Sequence, residues 1–176
     1  MASNEPPLKP THLEPSPLGT KEYWDSLYET EITNYSADAS DVGTIWFNDS
    51  SAEDKVLQFL EEKIVNEGIL GNGDGASEGK DWKAAMSFLD LGTGNGHFLL
   101  RLRGVVGDSD DEEDDDEGEE EGWGGRMLGV DYSKKGIEFA RRIAASSTKS
   151  KNRSKEGKGL PREVEFLHWG LLMRFL

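Results

Sequence analysis

Apolar residues recur along this chain at two periods, and the switching between them predicts the order helix, strand, helix, strand, helix, strand. In TKEYWDSLYETEI, Tyr23, Trp24, Leu27, Tyr28 and Ile32 fall at helical spacing behind Thr20, a natural N-cap. DVGTIWF follows as a turn or short extended piece carrying Ile45, Trp46 and Phe47. SSAEDKVLQFLEEKIVNEGI predicts a helix with Ser51 as N-cap, Asp54 three residues on, and Val56, Leu57, Leu60 and Ile64 on one face. NGDGASEG reads as a loop. The apolar run Met86 to Leu91, ended by a glycine turn, predicts a short buried strand, and Phe98, Leu99 and Leu102 continue it as a helix from His97 to about Gly104. Met127 to Val130 is a second expected strand. Ser133 caps a helix carrying Ile137, Ala140, Ile143 and Ala144, and Val164 to Leu167 makes a third strand. Strands alternating with helices in this way specify an α/β domain with a parallel sheet.

Three stretches break the pattern. Residues 1–18 hold five of the six prolines and read as an extended arm, with the folded domain beginning near Gly19 and running to residue 176. Residues 108–121, DSDDEEDDDEGEEE, have no apolar position and read as an exposed acidic insertion, spanning 103–124 with its flanks. Residues 146–162, SSTKSKNRSKEGKGLPR, read as a basic, polar loop, to which the acidic run could pair if it does not dock a basic partner.

Composition changes this picture little. The formal charge of -15 is largely the acidic run, which holds about a third of the 35 acidic residues; outside it acids and bases nearly balance. That balance argues against a nucleic-acid footprint or a membrane surface. There is no cysteine, and His12, His97 and His168 are too scattered for a ligand cluster, so no structural metal is expected. The N-terminus lacks the apolar stretch of a signal peptide and no run approaches a membrane span, so the expected protein is soluble and intracellular.

Candidate chemistry sits in FLDLGTGNGHFLLRL, residues 88–102. A phosphate-cradling P-loop needs Gly-Lys-Ser/Thr where this turn has Gly96, His97 and Phe98, and a dinucleotide fingerprint needs a small residue where His97 or Leu99 stands. Glycines at alternate positions suit close approach to a ligand without phosphate, and free N–H groups at the following helix start suit a carboxylate. Asp131 ends the second strand, where an acid can accept hydrogen bonds from both hydroxyls of a ribose. It lies 41 residues beyond Asp90, and excising residues 103–124 leaves 19, near the usual spacing of about 20.

Asp90-Leu91-Gly92-Thr93-Gly94-Asn95-Gly96 resembles the first motif of class I S-adenosylmethionine-dependent methyltransferases. With YWDSLYETEI, GTIWF and LGVDYSKKGIEFARRIA in order, the chain is similar to the eukaryotic protein-lysine methyltransferases that modify translation elongation factor 1-alpha. The resemblance covers about Lys21 to Trp169. It implies a Rossmann-like seven-stranded sheet, S-adenosylmethionine as methyl donor, a lysine of elongation factor 1-alpha as acceptor, a cytoplasmic location and a monomer. Asp90, Gly92, Thr93, Gly94, Asn95, Gly96, Asp131, Tyr132 and Trp46 would then face the cofactor, Asp90 near its amino group. No catalytic base is nominated. The family's third strand leads into Trp-Asp where this chain has His168, Trp169 and Gly170, and the family's C-terminal strands are missing, so the expectation is a truncated, partial methyltransferase domain whose activity is in doubt. A small-molecule methyltransferase of the same fold and a noncatalytic acidic interaction module are the alternatives. On bland readings, Tyr23, Trp24 and Tyr28 are a packing stripe and His97 a satisfied helix-end residue, while the apolar tail GLLMRFL lacks a partner to pack against.

Overall fold

The computed structural model describes residues 16–46, 48–67, 81–106, 122–152 and 163–170, with backbone only for 148–152. The NGDGASEG loop, the acidic run, most of the N-terminal arm, Phe47 and the last six residues lie outside the described residues. Three parallel strands form one sheet in the order β1 (Phe88–Leu91), β2 (Met127–Asp131), β3 (Glu165–His168). The register pairs Asp90 with Gly129 and Asp131 with His168. Around it lie α1 (Lys21–Ala37), α2 (Ala52–Phe59), a short α3 (Trp82–Ala85), α4 (His97–Leu102) and α5 (Lys134–Asn152).

The expected helical faces supply the core. Ile137, Ala140 and Ile143 of α5 are buried with Phe139, against Met127 and Phe166 of the sheet and Leu99, Leu100 and Leu102 of α4. Ring contact between Tyr35 and Phe139, 5.6 Å between centroids and edge-on, joins α1 to α5. Both expected caps bracket this contact: Thr20 Oγ1 accepts from Tyr23 N at 3.4 Å, and Ser133 Oγ accepts from Gly136 N at 3.0 Å. Ser133 Oγ also donates to Asp25 Oδ1 at 2.6 Å, tying the start of α5 to α1. Ser133→Ala removes cap and tie together and is expected to cost about 1–2 kcal/mol, measured by urea unfolding; an unchanged midpoint would show that the cap contributes nothing.

Several expectations are corrected. Ser51 is not a side-chain cap: its backbone is left-handed at φ 49 rather than extended as a capping residue's is, and its side chain makes no capping hydrogen bond to α2. The helix then widens into a π-helical stretch, Leu60–Asn66, ending with Glu67 N donating to Glu62 O. The first strand starts at Phe88, because Asp81 caps α3 just before it through Ala84 N. It is also not buried on both faces, since Leu89 and Leu91 are 61% and 64% exposed. The third strand is shifted one residue, to Glu165–His168, and Trp169 N donates on to Asp131 O at 2.7 Å.

The supposed loop at 146–162 is helical as far as Asn152, since nothing before Gly157 breaks a helix; Ser147 folds its hydroxyl back onto Ile143 O at 3.0 Å. The arm does not stay extended to residue 18 either. Pro17–Gly19 makes a helical turn whose Leu18 O accepts from Trp24 Nε1 at 2.7 Å.

The flanks of the acidic insertion belong to the domain. Trp123 is 4% exposed and stands edge-on to Phe88, and its N–H donates to Leu102 O at 2.9 Å. Arg103, buried beside it, donates to Trp123 O and Gly125 O, each at 2.5 Å. A guanidinium fork satisfying two carbonyls closes the neck of the insertion against the core.

Candidate functional site

At the carboxyl ends of β1 and β2 the glycine turn opens into a cavity of about 650 Å³. The turn is fastened from below: Gly92 N and Thr93 N both donate to Val130 O, at 2.8 and 3.1 Å, and Gly96 N donates to Thr93 O at 2.8 Å. Asp131 fastens it from the side. One carboxylate oxygen accepts from Gly94 N at 2.9 Å and the other from Ser133 N at 2.7 Å, in a residue only 7% exposed. Two backbone donors hold that carboxylate in one orientation and leave each oxygen a second lone pair for a ligand.

Asn95 carries the turn outward to the segment before α2. Its Nδ2 donates to Val42 O at 2.9 Å and Thr44 O at 3.3 Å, and its Oδ1 accepts from His97 N at 3.2 Å. These bonds seat the segment bearing Trp46 over the cavity. Trp46 meets Trp24 of α1 at 5.0 Å between centroids, and Trp24 stacks on Tyr28 at 6.2 Å. Tyr28 lies so close to the turn that a Cβ on Gly94 would sit 2.6 Å from its hydroxyl. Burial, then the charges of Asp131 and Glu31, push that phenol well above the ordinary tyrosine range, so it is a neutral hydroxyl.

Of the nine residues expected at the site, Trp46, Asp90, Gly92, Thr93, Gly94, Asn95, Asp131 and Tyr132 line the cavity. Gly96 does not. A Cβ there would meet the Phe166 ring at 2.6 Å and Ala140 at 3.1 Å, so this glycine lets α4 and β3 pack closely and serves the fold. Trp24 and Tyr28, read as a packing stripe, do line the cavity, whereas Tyr23 is 37% exposed. His97 is more than a helix-end residue: it is buried, it lines the cavity, and its Nδ1 faces the Glu53 carboxylate at 2.9 and 3.2 Å. Sequence reading missed Glu53 altogether. An acid in the first turn of a helix reads as a dipole complement, and nothing local says that α2 points it inward.

Three carboxylates, Glu53, Asp90 and Asp131, therefore surround one cavity, and no lysine or arginine stands among its described lining residues. Burial first, with the Asp131 and Glu53 charges adding to it, holds the Asp90 carboxyl above its usual range. An acid raised on folding binds its proton more readily in the folded chain. Its effect is that stability falls as pH rises from the unfolded value, about 3.9, through the raised one. Asp90→Asn is expected to flatten that part of the stability profile and raise the thermal midpoint at neutral pH. A slope identical to the parent chain would contradict this assignment.

Among the described residues, no group of His, Asp or Glu side chains could hold a metal ion, and no helix is long and apolar enough to cross a membrane.

A methyltransferase domain model matches residues 82–154. Over 135 residues the chain is 34% identical to "Protein-lysine N-methyltransferase EFM4" of Saccharomyces cerevisiae, covering 77% of this chain and 46% of that relative. It is 37% identical over 134 residues to the protein of that name in Schizosaccharomyces pombe, covering 75% and 46%. It is 32% identical over 135 residues to "EEF1A lysine methyltransferase 2" of Danio rerio, covering 77% and 42%. The chain thus spans about half the length of the curated relatives it matches. No solved structure matches it significantly. The Rossmann-like α/β sheet and the glycine turn with its flanking aspartates stand within a stretch, residues 82–154, that matches a methyltransferase domain, and the chain is similar over three quarters of its length to proteins named as protein-lysine methyltransferases.

Proposed function

We propose that the cavity binds S-adenosylmethionine and that the protein is a cytoplasmic protein-lysine N-methyltransferase acting on translation elongation factor 1-alpha. The observation that carries the first part is the chemistry of the lining: carboxylates and aromatic rings around a glycine turn, with no lysine or arginine among the described lining residues. Phosphorylated nucleotides call for cations or a P-loop lysine. A ligand whose charged centres are an ammonium and a sulfonium suits acids and aromatic faces. The similarity to named lysine methyltransferases supports the acceptor.

In this reading Asp131, already oriented by Gly94 and Ser133, accepts from the ribose hydroxyls. Asp90 faces the amino group, while the amides at the turn and the start of α4 face the carboxylate. Trp24, Tyr28 and Trp46 shield the ligand from water. When bound, the sulfonium supplies a methyl group to a neutral amine. Neutralising a lysine of pKa about 10.4 at pH near 7.4 costs roughly 4 kcal/mol, which exclusion of water and close positioning of the amine offset.

Isothermal titration of the chain with S-adenosylmethionine, and separately with ATP, tests the ligand. Heat of binding is expected from the first only. Binding of ATP alone would reverse the reading. Methylation of elongation factor 1-alpha, followed by mass spectrometry of its lysines, tests the acceptor.

A further inference from the structure

Glu53 stands in the first turn of α2 with both carboxylate oxygens toward Nδ1 of His97. A carboxylate only accepts, so Nδ1 carries a proton and donates it to Glu53, which fixes where the carboxylate stands. Two other charged groups face the pair. Arg101 of α4 reaches the Glu53 carboxylate only at 3.7 Å and sits closer to Asp54, at 2.6 Å. Asp90, across the cavity on β1, feels the Glu53 charge. Glu53 is thus an anion committed to the cavity wall, held there by a side chain that also lines the cavity.

We infer that Glu53, held by His97, is a specificity-determining residue that makes the pocket favour the cationic sulfonium form of the adenosyl ligand over the neutral thioether left once the methyl group has gone. This rests on the reading of the cavity as a methyl-donor site. The two forms share adenine, ribose and amino acid, so hydrogen bonds to those parts cannot separate them. They differ by one methyl group and one positive charge. Only a group that senses the charge discriminates strongly, and a largely buried carboxylate on the cavity wall does so with less screening than it would meet in bulk water. His97 acts through Glu53 and is a positioning residue. The outcome is a pocket that grips the donor and releases the spent product.

The test is titration calorimetry of the full chain with S-adenosylmethionine and S-adenosylhomocysteine, with circular dichroism checking that each variant is folded. The parent chain is expected to bind the sulfonium form more tightly. Glu53→Gln should weaken that form about tenfold, roughly 1.4 kcal/mol, and the thioether less than about twofold. His97→Asn, whose amide N–H replaces the Nδ1–H donor, should keep the parent ratio. His97→Leu should collapse the ratio toward that of Glu53→Gln. An equal loss of both ligands in Glu53→Gln, or an unchanged ratio in it, overturns the inference while leaving the methyl-donor site standing. A parent chain that binds neither ligand overturns both.

Discussion

Asp131→Ala is expected to abolish detectable binding of S-adenosylmethionine, a loss of at least about a hundredfold, and to destabilise the chain at the same time. The two losses have separate causes. Binding fails because both ribose hydroxyls lose their acceptor, and two charge-assisted hydrogen bonds are each worth about 1.5–3 kcal/mol. Stability falls because Gly94 N and Ser133 N, bonded to this carboxylate at 2.9 and 2.7 Å, are left without it in a buried place. A buried donor left unpaired costs about 1–3 kcal/mol, so a total of about 2–6 kcal/mol is expected for the two. Chemical unfolding measures that cost, and calorimetry well below the thermal midpoint measures binding by the folded fraction. Equal heats from variant and parent would remove Asp131 from the site. The Asn variant sharpens the comparison, since its one oxygen can keep a single amide bond without the charge.

Gly96→Ala and Gly92→Ala are expected to part company, although the two glycines sit in one motif at similar φ values, +76 and +81. At Gly96 the added methyl runs into the Phe166 ring at 2.6 Å while the backbone stays left-handed. Left-handed strain of about 1–2 kcal/mol and overpacking of about 1–3 kcal/mol together remove roughly 2–5 kcal/mol. That is a large share of the 5–15 kcal/mol typical of a whole domain. At Gly92 a Cβ meets nothing within 4 Å, so only the backbone strain remains and the fold survives. The methyl would occupy space beside the cavity, so the loss at Gly92 is expected in ligand affinity. Comparing unfolding midpoints with titration heats for the two variants checks the division. A stable Gly96→Ala chain would show that β3 does not press on the turn.

The contrast shows what a motif does and does not disclose. Asp90, Gly92, Gly94 and Asp131 could be placed together from the sequence because strand ends, a turn and a helix start fix their positions within a few residues. Gly96 shared that spacing, yet its task depends on Phe166, seventy residues away and brought alongside only by the sheet. Glu53, Trp24 and Tyr28 were beyond reach for the same reason: helical periodicity gives a face, but the neighbour that meets it is a property of the packed molecule. Ser51 had the right chemistry for a cap and the wrong backbone. Trp123 was concealed by composition, a core residue set among glycines directly after the acidic run.

The closed neck at Leu102 and Trp123 has a consequence for how this domain tolerates change. The Trp123 N–H to Leu102 O bond and the Arg103 clamp fix both ends of the connection in the core. Lengthening the connection between those ends costs loop-closure free energy, which rises by only about 0.6 kcal/mol for each doubling of length. An epitope or a fluorescent reporter inserted between those anchored ends is therefore expected to cost the domain little stability.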